Sequence, residues 1–185
     1  MTDAVNRPLL FLDIDGTLLP YGGAPVPTRG SDAHWQHEGN PQLARLDPSH
    51  GPRLLALPCD LVWATAWMHE ANEVVGPRLG LPELPVAELP EDDDQPGTLH
   101  WKTRALVAAA AGRAFAWADD EIGDFDREWV ESEHPEAALL LRVDPAVGLT
   151  DGDFAALGEW MAAHGTAAGP GAAPAAVDGG ASAGA

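Results

Sequence analysis

Two aspartates separated by one residue are the strongest chemical signal in this chain. The stretch 9–19 reads Leu-Leu-Phe-Leu-Asp-Ile-Asp-Gly-Thr-Leu-Leu, so Asp13 and Asp15 close a short apolar run and Gly16 breaks it. Side chains alternate along an extended backbone, which puts both acids on one side and Ile14 on the other. Carboxylates crowded at the end of an apolar strand repel each other and are poorly solvated. They persist where a cation sits between them, or where one keeps a proton. A plain Asp-Gly turn with both acids in water is the simpler alternative, but the whole pattern after four apolar residues favours a site. A second acidic pair, Asp119 and Asp120, closes the apolar run Phe115–Ala118. Two consecutive acids at a strand end are hard to explain as helix caps. Thr65 closes Leu61–Ala64 and, taken alone, reads as a helix N-cap at a strand–helix junction.

These positions need a frame that brings them together. Leu9–Leu12, Leu61–Thr65, Phe115–Ala118 and Ala138–Val143 read as buried strands, and Pro85–Leu89 as a short further one. Between them, Met68, Ala71, Val75 and Leu79 recur at near-helical spacing, with Pro77 expected to end or kink that helix. A helix is expected through Leu106, Val107 and Ala110. Asp124 is expected to cap one carrying Trp129, and Thr150 with Asp153 to cap a last one through Phe154, Leu157 and Met161. Strands alternating with helices predict an α/β fold, a mostly parallel sheet sandwiched between helical layers. Ligands bind such sheets outside the carboxyl ends of the strands. Asp13, Thr65 and Asp119 all sit at carboxyl ends, so positions scattered over the chain converge on one rim. There Asp13, Asp119 and Asp120 carry too much negative charge to coexist without a hard cation, and an oxygen-only set suits Mg²⁺.

Composition narrows the class. The chain has 185 residues and a formal charge of −19, with only ten Lys and Arg. No basic stripe is present, which argues against stable nucleic-acid binding but not against brief contact with a nucleic-acid end. Residues 165–185 are almost entirely Ala, Gly, Pro and Ser and read as a disordered tail, leaving 1–164 as a single α/β unit. Within it, 21–52 reads as an irregular flap with at most one short hairpin. The single cysteine, Cys59, excludes an internal disulfide and reads as a small buried filler. No signal peptide or membrane-length apolar run is visible, so a cytoplasmic location is expected. Oligomeric state is not legible.

Other candidates have ordinary readings. His34 and His37 flank Trp35 and Gln36 without an obvious third metal ligand, and read as loop histidines. The acid run Glu91–Asp94 lacks the spacing and glycine of a calcium loop and reads as solvated. His100 reads as a surface histidine. Trp35 and Trp67 either line a binding surface or fill core.

The stretch 13–17 resembles motif I of the haloacid-dehalogenase (HAD) superfamily, Asp-x-Asp-Gly-Thr after a buried strand. The other motifs follow in order: Thr65 at motif II, Lys102 at the start of the helix before the last motif strand, and Asp119-Asp120 at motif IV. The resemblance implies a HAD-like, Rossmann-like three-layer fold with minimal or no cap, and an open site. It implies a Mg²⁺-dependent phosphatase in which Asp13 attacks phosphorus to form an aspartyl-phosphate. Asp15 would be the acid and base, with a raised pKa, and Thr65 and Lys102 would hold the phosphoryl oxygens. The metal would rest on Asp13, Asp119 and Asp120 with the backbone carbonyl of Asp15. Asp124 becomes either an outer-shell acid or a helix cap. The sequence Leu61-Val-Trp-Ala-Thr-Ala-Trp67 and the later Arg-Val-Asp-Pro resemble a small bacterial subgroup, similar to HAD-type domains of multidomain RNA-repair proteins. A phosphorylated small molecule or nucleic-acid end is the implied substrate. The rival reading is a non-catalytic phosphate- or metal-binding module on the same fold.

Overall fold

The computed structural model describes residues 7–22, 37–90 and 99–165. Most of the 165–185 tail, His34, Trp35 and the acids 91–94 lie outside the described residues. Four parallel strands form the sheet: β1 (Leu9–Leu12), β2 (Asp60–Trp63), β3 (Phe115–Asp119) and β4 (Ala138–Arg142), in the order β2-β1-β3-β4. The strand that leads into Asp13 is therefore central, flanked on both sides. Its register aligns Leu12 with Trp63 on one neighbour and with Ala118 on the other.

The apolar strands face two helical layers because alternate residues point in opposite directions. Leu10, Leu12 and Trp63 pack with α1 (His50–Leu55), α2 (Gly76–Leu79) and α5 (Asp151–His164), through Leu54, Leu79 and Leu157. Leu9, Phe11 and Trp117 pack on the opposite face with α3 (Thr103–Ala110) and α4 (Asp124–Glu133), through Leu106 and Val130. This is the expected α/β three-layer sandwich. Cys59 fills core as expected, and burial pushes its thiol up to about 12. No described helix is long and apolar enough to cross a membrane.

Several local expectations need correction. Within the described part of the 21–52 stretch, a 3₁₀ turn spans Pro41–Arg45 and α1 begins at His50. Asn40 initiates the turn, its side chain accepting from the Gln42 N–H at 2.9 Å, and Pro41 suits the first position. Pro77 does not end its helix. A wider π turn over Ala71–Val75 precedes it, and Pro77 sits near the start of α2, where a missing N–H costs little. Pro85–Leu89 contributes a single bridge, Val86 to Trp63, since Pro85 and the following Pro90 withhold donors from a longer ladder. β2 ends at Trp63, so Thr65 lies in the following loop. Asp124 is not the cap of α4. Gly123 is, and its N–H donates to Asp126 Oδ2 at 2.8 Å, the half of a capping box open to glycine. Asp124 is the exposed first residue of that helix. The Thr150–Asp153 box on α5 forms as expected.

Candidate active site

Strand parity explains how the site assembles. Asp119 lies two residues beyond Trp117 and so shares its face of the sheet; the Trp117 indole N–H donates to Asp119 Oδ2 at 3.2 Å. Asp13 stands two residues beyond Phe11, on that same face, with its N–H bonded to Ala118 O at 3.1 Å. Helix α3 packs on this face, and Lys102 caps its start. Its ammonium donates to Asp13 Oδ1 and to Asp119 Oδ2, both at 2.7 Å. The lysine side chain is 4% exposed, and those of the two aspartates 7% and 0%. These are buried, charge-assisted bonds.

Charge in this site is tightly balanced. Burial pushes the Asp13 carboxyl well above the usual range, against the pull of Lys102 and with the help of Asp119 and Asp15. Burial also disfavours the Lys102 charge, but Asp119 and Asp13 together outweigh it and hold its pKa above the ordinary lysine value. Asp120 is pushed up to about 7, by burial first and then by Asp119 and Glu121. One lysine does not neutralise three acids. Oxygens of Asp13, Asp119 and Asp120 all lie within 4.8 Å of one another, and their all-oxygen donor set fits a hard divalent cation such as Mg²⁺. Gly16 makes room for this cluster. At a φ of +70°, an added Cβ would collide with the Asp120 carboxylate.

Asp15 and Thr65 join the site through a residue whose role the sequence left open. The indole N–H of Trp67 donates to both carboxylate oxygens of Asp15 at 3.1 Å, and its backbone N–H donates to the Thr65 hydroxyl at 3.3 Å. Trp67 is wholly buried, so it fills core and also fixes Asp15. The next residue, Met68, adopts a φ of +46°, rare without glycine, at the turn that delivers this indole. His100 is not a surface histidine. Its side chain is 7% exposed, its ring centroid lies 5.5 Å from that of Trp117, and Nε2 is 3.2 Å from Glu121 Oε2. Tyr21 is a further site-edge residue. Burial, then Asp15, Asp120 and Asp13, hold its hydroxyl well above the ordinary tyrosine range. No sequence spacing signalled Tyr21 or Trp67, because each meets the acids only through the fold.

The model of the family described as the HAD domain in Swiss Army Knife RNA repair proteins matches residues 9–154. The chain belongs to this family. No curated protein and no solved structure matches it. The matched span of this HAD domain runs from β1 into α5 and contains Asp13, Asp15, Thr65, Lys102, Asp119 and Asp120. Membership supports a hydrolase/phosphatase superfamily, for which Mg²⁺ is the general cofactor. The acid cluster of this HAD domain can accept such an ion.

Proposed function

We propose that this HAD domain is a Mg²⁺-dependent phosphomonoesterase that works through an aspartyl-phosphate on Asp13. The observation that carries the reading is the buried Lys102 ammonium shared between Asp13 and Asp119, with Asp120 beside them. A buried carboxylate that keeps its charge only beside cations is an effective nucleophile once an anionic phosphoryl group is brought to it. Mg²⁺, held by Asp13, Asp119, Asp120 and the Asp15 carbonyl, would neutralise charge between nucleophile and phosphoryl oxygens.

The protein's own groups account for the rest. An Asp13 oxygen attacks phosphorus, the ester P–O bond breaks, and the leaving oxygen takes a proton from Asp15. Water then loses a proton to Asp15 and attacks the same phosphorus. The P–O bond to Asp13 breaks, returning the free carboxylate and inorganic phosphate. Lys102 and Thr65 hold the phosphoryl oxygens as charge moves among them. Trp67 keeps Asp15 oriented throughout. The family's RNA-repair context supports a phosphorylated nucleic-acid end as substrate, and the strong acidity of the chain supports brief contact with that end over extended binding.

The test is release of p-nitrophenol from p-nitrophenyl phosphate with and without Mg²⁺, by wild type and Asp13→Asn. Magnesium-dependent turnover that disappears in a folded Asp13→Asn variant is the expected result. Turnover that survives the substitution refutes the covalent mechanism. If wild type is silent, stabilisation by beryllofluoride with Mg²⁺ decides: a raised Tm in wild type but not in Asp13→Asn supports the nucleophile, and no shift favours the non-catalytic module.

A further inference from the structure

We infer that Asp126 is a positioning residue that locks the Lys102 segment to the segment carrying Asp119 and Asp120; this rests on the phosphatase reading above. Asp126 lies on α4, is 1% exposed, and belongs to none of the motifs that the chemistry uses. Its carboxylate takes three hydrogen bonds from two different segments. Oδ1 accepts from the His100 N–H at 2.8 Å and from the Thr103 hydroxyl at 2.6 Å. Oδ2 accepts from the Gly123 N–H at 2.8 Å.

The first two bonds straddle Lys102 in sequence and fix the start of α3. The third fixes the turn that follows the motif IV acids and begins α4. One buried carboxylate therefore sets the spacing between the base of Lys102 and the loop of the acid pair. His100 reinforces the link. Its Nδ1 lies 3.3 Å from the Lys102 N–H, in position to accept, and its Nε2 lies 3.2 Å from Glu121, next to Asp120. The Thr103 hydroxyl is wholly buried and spends its hydrogen on Asp126. A helix cap alone needs only the Gly123 bond. The two bonds to the Lys102 segment do nothing for α4 and are explained by positioning.

The α5 cap supplies a control, since Asp153 accepts from the Thr150 N–H and hydroxyl and reaches none of the proposed catalytic groups among its described bonds. Four proteins are compared: wild type, Thr103→Val, Asp126→Asn and Asp153→Ala. Thr103→Val keeps shape and deletes one bond, so it answers even where Asp126→Asn does not fold. The first readout needs neither metal nor turnover: the side-chain ¹⁵N signal of the buried Lys102 ammonium, protected from exchange in wild type. We expect it to shift or broaden in Thr103→Val and Asp126→Asn and to stay put in Asp153→Ala. The second readout is p-nitrophenyl phosphate kinetics in Mg²⁺. Misplacing reacting groups by about 1 Å costs up to a hundredfold, so kcat should fall about ten- to a hundredfold in Asp126→Asn with KM changed less than about twofold. The Mg²⁺ concentration for half-activation should rise, whereas Asp153→Ala should lower only Tm. An unmoved lysine signal in Thr103→Val and any folded Asp126→Asn overturns the inference and leaves Asp126 a helix cap. A wild type silent towards p-nitrophenyl phosphate hands the phosphatase reading to the beryllofluoride test, while the lysine signal still judges the positioning role.

Discussion

Replacing Lys102 by Met tests the electrostatic core of the site directly. The substitution keeps an unbranched side chain and removes the one ammonium that bridges Asp13 and Asp119 at 2.7 Å from each. All three side chains are almost fully buried, so solvent cannot take over the lost charge. Removing one partner from such a group leaves carboxylates uncompensated, which costs about 3–5 kcal/mol. For a domain of this size each kcal/mol shifts Tm by roughly 2–4 °C, so a drop of roughly 6–20 °C is expected in EDTA. Mg²⁺ should reverse part of that loss, because it would face the same carboxylates with no competing ammonium. At a hundred times its Kd, a ligand of the folded state restores about 2.7 kcal/mol. Thermal melts by circular dichroism, in EDTA and in saturating Mg²⁺, read both effects. The Mg²⁺-induced rise should be larger in Lys102→Met than in wild type, although phosphatase activity is lost. A folded variant whose Tm in EDTA stays within about 3 °C of wild type, or whose response to Mg²⁺ is smaller than wild type's, refutes the reasoning.

Two more predictions follow from the same site. Asp120 has a folded-state pKa of about 7 against an unfolded value near 4, so the metal-free fold binds an extra proton between those limits. Its contribution to stability must fall as pH rises from about 4 to about 7. Denaturant titrations should show a shallower decline across that window in Asp120→Asn, and an identical slope in both proteins would contradict the assignment. Trp67→Phe keeps the buried ring and deletes the N–H that donates to Asp15. Alkyl phosphates, whose leaving oxygen needs a proton, should lose turnover about tenfold more than p-nitrophenyl phosphate, whose leaving group departs readily as an anion. Equal losses on both substrates would make Trp67 merely structural.

The parts of the site that sequence revealed are those whose chemistry is contiguous. Asp13 and Asp15 follow β1 directly, and Asp119 and Asp120 straddle the end of β3, so strand pattern and acid type could be read together. The α/β sandwich was legible for the same reason, since buried parallel strands show as short apolar runs between helical periodicities. Trp67, Tyr21 and His100 were not, because a tryptophan or histidine beside an apolar run reads equally well as core or surface. Only the packing of the turn after β2 aims Trp67 at Asp15. The α4 cap was missed by a single residue. Asp124 has the residue type of a cap, but Gly123 with Asp126 three positions on carries the capping-box spacing, and that pattern was available in the sequence.

The central place of β1 governs how the site can come into being. Its two neighbours in the sheet lie about fifty and about a hundred residues further along the chain, and both pairings are parallel. Neither forms from a local turn, so loop-closure entropy must be met before the strand ahead of Asp13 is enclosed. Folding is therefore expected to be slow for a chain of this length, with the nucleophile among the last groups to leave water. Until β3 docks, Asp13 lacks both Asp119 and the lysine-bearing helix that packs on β3's face. A partly folded chain would then hold an ordinary solvated aspartate there, and phosphoryl chemistry would switch on only with the completed sheet.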